Sequence, residues 1–389
     1  MKKILYLSFY FEPDLSAGSF RNTTLSKELA SQVEFMNAEI YVLTTQPNRY
    51  DTYHVKAKSK EVVGNLKIER IDIPRHQSGF RDQIFSFYIY YKKALKLVKN
   101  EKYDLVFVSS SRLFTAYLGY KIAKNINTPL YVDIRDIFTD TVNDILNISV
   151  LKKPIIKVLE HIERKIYSYA KHVNLISEGF NDYFKKFNIE NITNFSNGID
   201  DDFINLPPSE MKEKEFFTIT YAGNIGKGQG LECIIPQSAK MLGERYRFRI
   251  IGDGGQKRKL LDEIIKRGLH NVEMIKPVSR KDVVQLYKNS DFLFIHLNDY
   301  NAFKKVLPSK IFELGAYEKP ILAGVSGYAR EFMQKHIENI ILFEPGNPVE
   351  LTKKIKNYKY KLIYRETFIK KFKRSEINKK MTKSIISYL

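Results

Sequence analysis

The stretch DFLFIHLNDYNAFKKVLPSKIFELGAYEKPILAGV, residues 291–325, decides the fold. It holds two short apolar runs, DFLFIHL and PILAGV, with a helix-forming segment between them. Runs of this length, apolar without alternation, read as strands covered on both faces, the habit of a parallel sheet. The connecting segment opens with Leu307-Pro308-Ser309 and sets Lys310 and Glu313 where a helix would start. Strand ends in open parallel sheets are where ligands meet unpaired helix N–H groups, so this helix start has two readings. In one, Ser309 is a plain N-cap and Glu313 a dipole-compensating acid. In the other, the turn binds a ligand.

The same alternation runs outward through the chain. KILYLSF, EIYVLTT, YDLVFVSS, PLYVDIR, HVNLIS and ITNF are strand-like in the first half, with amphipathic segments at 20–33, 83–99, 112–126, 153–170 and 179–187. FFTITYAGN, YRFRIIGDGG, NVEMIKPV, DFLFIHL, PILAGV and NIILFEP repeat the pattern in the second half. Between the halves, NGIDDDFINLPPSEMKEKE breaks it with Asn197-Gly198, an acidic run and Pro207-Pro208. The expected architecture is α/β, with two Rossmann-like doubly wound parallel-sheet domains at 1–205 and 206–370. A basic helical tail, about 371–389, is expected to pack back on the first domain or lie on the surface.

Length and composition bound the function. A chain of 389 residues exceeds one typical core, and its 43% hydrophobic content excludes wholesale disorder. The single Cys233 has no partner for an internal disulfide, which fits a reducing compartment. Its place on the helix after a glycine-rich turn reads as core. The opening MKKILYLSFYFEPD lacks a small-residue cleavage pattern and no apolar stretch suits a span, so a cytoplasmic protein is expected. The formal net charge of +20 asks for nucleic acid, an anionic membrane surface or a phosphorylated small molecule, unless it is a solvated lysine-rich surface.

Three glycine turns follow strands. Ala17-Gly18-Ser19 leads toward Arg21; TYAGNIGKGQGLECI has glycines at 223, 226, 228 and 230 around Lys227; IIGDGGQKRKL has them at 252, 254 and 255, followed by Lys257, Arg258 and Lys259. Side-chain-free turns let a phosphate approach backbone N–H groups. Cations at a helix start oppose the macrodipole unless an anion sits between them, although a solvated lysine cluster is the alternative.

Taken in order, PDLSAGSFR, YAGNIGKGQGLE, IIGDGG and LPSKIFELGAYEKPIL resemble the retaining glycosyltransferases of family 4 (group 1), which have the GT-B fold. Within that family the resemblance is to bacterial transferases of amino sugars of the N-acetylfucosamine type in O-antigen or capsule assembly. It covers nearly the whole chain. It implies two Rossmann-like domains facing across a cleft, the first holding an acceptor, the second a nucleotide-sugar donor, UDP-linked by expectation, with retention at the anomeric carbon.

The resemblance assigns residues as well. Glu313 matches the second glutamate of the family's E-x7-E motif, which hydrogen-bonds the ribose, whereas the first falls on Lys305. The family's arginine and lysine on the glycine loop fall on Asn224 and Gln229, both neutral. The diphosphate must then be met by Lys227, Arg258 or Lys310, or by backbone N–H groups, because the departing nucleotide gains charge as the glycosidic bond breaks. Gly18, Arg21, Gly223, Gly226, Gly252, Gly254, Leu307 and Ser309 complete the expected donor site. The family's His-Asp pair corresponds to Arg135-Asp136 in YVDIRDIFTD. Asp136, Arg135 and Lys310 form the expected catalytic set, with Asp136 toward the cleft and Arg135 toward the phosphates. A buried ion-paired network with Asp133 is the other reading of that strand end.

No cofactor is expected beyond the nucleotide sugar, and no metal. Asp200-Asp201-Asp202 contains a D-x-D but reads as surface acid in a linker, and His161, His172 and His296 lack ligand spacing. The segments 80–102 and 151–171 mix lysines with Phe85, Phe87, Tyr88, Tyr90 and Tyr91 or with an apolar stripe. They suit an anionic membrane surface and a polyprenyl-linked saccharide acceptor at the inner face of the plasma membrane, with ordinary core-facing helices as the alternative. A GT-B sugar-nucleotide epimerase would need histidine and carboxylate acid–base groups, which are not evident. A nucleic-acid-binding protein would need lysines and aromatics on an exposed sheet face, and these sheets read as covered.

Overall fold

The computed structural model describes residues 1–48, 55–74, 80–110, 112–145, 149–204 and 214–389. Pro207-Pro208 lies outside the described residues. The chain divides into two units, one made of residues 1–197 and 375–389, the other of 198–374.

The first unit runs β1 (Lys2–Ser8), α1 (Ala17–Val33), β2 (Ala38–Thr45), β3 (Lys60–Val63), β4 (Leu66–Ile71), α2 (Phe80–Val98), β5 (Leu105–Ser110), α3 (Leu113–Asn125), β6 (Leu130–Ile134), α4 (Phe138–Ile145), α5 (Ser149–Tyr169), β7 (His172–Leu175), α6 (Asn181–Phe184) and β8 (Ile192–Thr193). Its eight strands are ordered β3-β4-β2-β1-β5-β6-β7-β8. All neighbours are parallel except β3 and β4, a hairpin that the apolar pattern did not announce. The reason is exposure: both faces of β3 are open or half-open, so it carries no buried run, and its turn rests on Gly64 at φ 60°. The central strands are buried, β5 and β6 throughout and β1 from Ile4 onward, because helices cover both faces.

The second unit contains β9 (Phe217–Asn224), α7 (Leu231–Leu242), β10 (Tyr246–Asp253), α8 (Lys257–Lys266), β11 (Val272–Ile275), α9 (Arg280–Lys288), β12 (Phe292–His296), α10 (Lys310–Gly315), β13 (Ile321–Gly324), α11 (Gly327–His336), β14 (Ile340–Phe343), α12 (Pro348–Lys356) and α13 (Glu366–Lys371). The sheet order β11-β10-β9-β12-β13-β14 is parallel throughout. The 291–325 stretch is the β12–α10–β13 crossover, with Leu293 opposite Ile321. Separate apolar cores lie on the two faces of this sheet, one around Phe312 and Leu314, the other around Ile234 and Phe294.

The units part at 197/198, ahead of the expected boundary at 205, because Ile199 and Phe203 belong to the core of the second unit. Ile199 there pairs with the far end of the same unit, donating to Phe372 O at 2.8 Å and accepting from Arg374 N–H at 2.8 Å. The last helix, α14 (Arg374–Ile386), returns to the first unit, where Met381 and Ile385 are fully buried with Ile4, Tyr6 and Leu25.

Candidate functional site: two sheet edges

In the second unit, the expected donor residues converge on the carboxyl edge of the sheet. β9 gives way there to the loop 223–230, and β10 ends beside it, with Gly252 opposite Gly223 and Asp253 opposite Asn224. Gly252 has φ +143°, and a Cβ on it would lie 1.8 Å from Gly223 O. Only glycine lets these two turns pack backbone against backbone. Asn224 and Gln229, the two neutral residues, bond to each other: Asn224 Nδ2 donates to Gln229 Oε1 at 2.9 Å, which also accepts from Gly226 N–H at 3.3 Å. They tie the loop into shape.

Lys310 reaches back to that loop from the start of α10. Its Nζ would stand 3.1 Å from a Cβ on Gly223 and is 5.6 Å from the centre of the Tyr221 ring. The Glu313 carboxylate lies 3.8 Å away, one helical turn on. Burial lowers the ammonium pKa, and Glu313 opposes that shift. The sequence reading missed Tyr221, whose hydroxyl donates to Asn224 O at 2.6 Å; its signal was its position two residues before Gly223 on the same strand face.

Other residues of the expected set sort by exposure. Lys227 and Arg258 are exposed. The cation run at the start of α8 is met by carboxylates, Lys257 by Asp253 and Lys259 by Glu232, each at 3.8 Å. Ser309 occupies the N-cap position of α10 with helical dihedrals, and its side chain makes no capping bond. Leu307 is buried in the core. Lys305 closes a 3-10 turn, Phe303–Lys305, ahead of this segment.

Several expectations need correction. Asp200 is not surface acid: it is buried and pairs with Arg280 and Arg374, while the Asp202 carboxylate lies 3.1 Å from Arg280 Nε. Cys233 is exposed, because the buried positions of α7 are 231, 232, 234, 235, 236, 238, 239 and 242, and position 233 falls between them. The aromatic residues of α2 split: Phe87 and Tyr90 are core, and Phe85 and Tyr88 are exposed.

The first unit departs further from expectation. Arg21 is fully buried and is not available to a phosphate. Its guanidinium donates to Asp133 through Nε at 2.9 Å and Nη2 at 3.0 Å, and to the carbonyls of Ser196 and Phe195 at 2.8 and 2.9 Å. Asn174 completes the shell, donating to Asp133 at 2.7 Å. The buried-network reading therefore holds for Asp133, with Arg21 as its partner. Gly18 is likewise occupied: a Cβ there would lie 2.5 Å from Arg135 Nη1, so the glycine admits that guanidinium onto the first turn of α1. Asp136 follows at the carboxyl end of β6, half-buried, with its carboxyl pushed up to about 6, chiefly by desolvation, against hydrogen bonds from Ile137 and Thr141. Among the described residues, no three or more His, Cys, Asp or Glu side chains converge as metal ligands, and no helix is long and apolar enough to cross a membrane.

Comparison with known proteins adds to this geometry. Residues 202–374, nearly all of the second unit, match the family Glycosyl transferases group 1. Over 93 residues, 24% of the chain, it is 36% identical to a protein of Escherichia coli (strain K12) named as a colanic acid biosynthesis glycosyl transferase, WcaI. That match spans 23% of the curated relative's length. Among solved structures, Anabaena HepE in complex with UDP and glucose superposes with a TM-score of 0.67 at 16% identity, covering 100% of each chain. A glycosyltransferase from Rickettsia africae ESF-5 gives 0.63 at 16% identity, covering 100% of this chain and 98% of the other. These likenesses establish the GT-B fold for the whole chain.

Proposed function

We propose that the chain is a retaining, metal-independent glycosyltransferase that moves an N-acetylated sugar from a UDP donor to a polyprenyl-linked saccharide. The single observation that carries this reading is Lys310 brought against Gly223, where a parallel sheet gives way to a glycine loop, inside a domain of glycosyltransferase sequence. A lysine with one carboxylate at 3.8 Å has charge to offer an anion, and the leaving diphosphate is the species that gains charge in the transition state. In this proposal Lys310 and the loop amides receive the diphosphate, exposed Arg258 and Lys227 add long-range charge, and Glu313 accepts from the ribose hydroxyls. Attack on the face of the departing phosphate needs no protein nucleophile.

The first unit is assigned the acceptor. Asp136, with a pKa of about 6, is suited to take or share the proton of an attacking hydroxyl near neutral pH. Arg135, laid on Gly18, supplies the neighbouring positive charge. Arg135-Asp136 in place of a His-Asp pair favours the amino-sugar subgroup. The HepE complex supports UDP as the nucleotide, and the colanic acid relative supports cell-surface polysaccharide, O-antigen or capsule, as the product. Peripheral attachment to the inner face of the plasma membrane is supported by α2, where Ile84, Phe85 and Tyr88 are exposed alongside Lys92, Lys93 and Lys96.

A thermal-shift panel of UDP-, GDP-, dTDP- and ADP-sugars tests the donor, with UDP-sugars expected to stabilise selectively, with or without EDTA. Absence of stabilisation by any of them rejects the reading. Turnover of the stabilising donor onto a polyprenyl-linked saccharide in anionic vesicles, with the product anomer read by NMR, tests the rest.

A further inference from the structure

The end of β12 holds the glycine loop from behind. His296 and Asn298 donate to three consecutive loop carbonyls: Asn298 Nδ2 to Lys227 O at 2.6 Å, Asn298 N–H to Gly228 O at 2.9 Å, and His296 Nδ1 to Gln229 O at 2.6 Å. The imidazole tautomer follows from its other nitrogen, since His296 Nε2 accepts from Gly346 N–H at 2.8 Å and so leaves the proton on Nδ1. His296 is fully buried, with its ring alongside those of Phe294 and Phe343, centroids 6.3 and 6.1 Å away, and burial depresses its pKa to about 4. Contact is close elsewhere too: a Cβ on Gly230 would lie 2.0 Å from Asn298 Oδ1, and one on Gly228 would lie 2.8 Å from the Phe303 ring.

The consequence lies in the N–H groups of the loop. Among the described residues, none accepts a hydrogen bond from the N–H of Lys227 or Gly228, whereas those of Gly226, Gln229 and Gly230 close bonds within the loop. Pinning Lys227 O turns the Gly228 N–H of that planar trans peptide the opposite way, and pinning Gly228 O and Gln229 O aims the Gln229 and Gly230 N–H groups at Gly226 O, which in turn fixes the peptide that carries the Lys227 N–H. We propose that His296 and Asn298 are positioning residues: they pin three carbonyls so that the Lys227 and Gly228 amides are presented, pre-aligned, to the diphosphate of the donor. This rests on the nucleotide-sugar reading above. Binding to a loop already fixed avoids the entropy of ordering it, so the gain falls on the diphosphate and not on the nucleoside.

The test uses the whole chain with His296→Phe, which keeps a stacking ring and removes the donor, Asn298→Ala, and His296→Asn, whose amide can restore a donor near the Nδ1 position. Hydrogen exchange of amides 226–230 in nucleotide-free protein is expected to accelerate by about tenfold in the first two variants and to be largely restored in the third. UDP affinity by calorimetry is expected to weaken by about tenfold in the same two, with uridine affinity unmoved. Unchanged exchange and unchanged UDP affinity overturn the proposal, as does an equal loss for uridine, which would mean general disruption. Wild-type protein that binds no UDP overturns the nucleotide reading instead, and the exchange measurement still decides whether the loop is pinned.

Discussion

The carboxyl edges of the two sheets make opposite use of their cations. In the first unit, Arg21 is sealed beneath the strand ends, its guanidinium shared between Asp133 and two carbonyls. In the second, Lys310 stands at the strand end with a single carboxylate at 3.8 Å, beside a loop whose forward amides are uncommitted. A buried guanidinium with its hydrogen bonds filled holds a fold, and an ammonium held loosely at a turn can hold a ligand. Both are cations early in the helix that follows a strand; saturation of the hydrogen-bonding groups separates them.

The contrast is most exposed to test at Arg21. Arg21→Met leaves the Asp133 carboxylate buried without its cation and is expected to cost about 3–5 kcal/mol in chemical denaturation, part of which Arg21→Met with Asp133→Leu recovers. If Arg21→Met folds normally and loses UDP binding, the contrast is wrong. At the other edge, Lys310→Met is expected to weaken UDP binding by about 10- to 100-fold, a charge-assisted bond of about 1.5–3 kcal/mol, with Tm unchanged or raised because a desolvated ammonium is removed.

Asp136→Asn sharpens the assignment of the first unit. Turnover is expected to fall by about 10²-fold or more, and wild-type activity should rise as pH passes through about 6, where the carboxylate forms, while the variant shows no such limb. The stability effect has the opposite sign. The folded pKa lies above the ordinary 3.8, so the native state binds the proton more tightly, stability falls as pH rises through 4–6, and Asp136→Asn is expected to be the more stable protein at pH 7. The smallest effect belongs to Cys233→Ser, expected within about 0.5 kcal/mol of wild type, with the native thiol open to alkylating reagents.

The legibility of the sequence followed the strength of burial. The core strands were readable because parallel strands covered on both faces are apolar end to end, as in FLFIH at 292–296. The β3–β4 hairpin was not, since exposed KEVV has no such signature. At the sites, Gly223, Gly252 and Lys310 converge because the order of elements in a doubly wound sheet places successive strand ends side by side. Arg21 was misread for a physical reason: its partner Asp133 is more than a hundred positions away, and no local pattern shows that a guanidinium is already saturated. His296 and Asn298 stayed hidden because their work is done through backbone carbonyls, which leave no mark on residue identity at 227–229.

The return of α14 bears on the order in which this polypeptide matures on a ribosome. Everything the second unit needs lies within 198–374, so it can close as soon as that segment has emerged. The first unit begins earlier yet waits for Met381 and Ile385 before its interior is filled. A nascent chain halted near residue 370 would therefore carry a nearly finished downstream half behind an upstream half with an open, greasy flank, the stage at which a chaperone would find it.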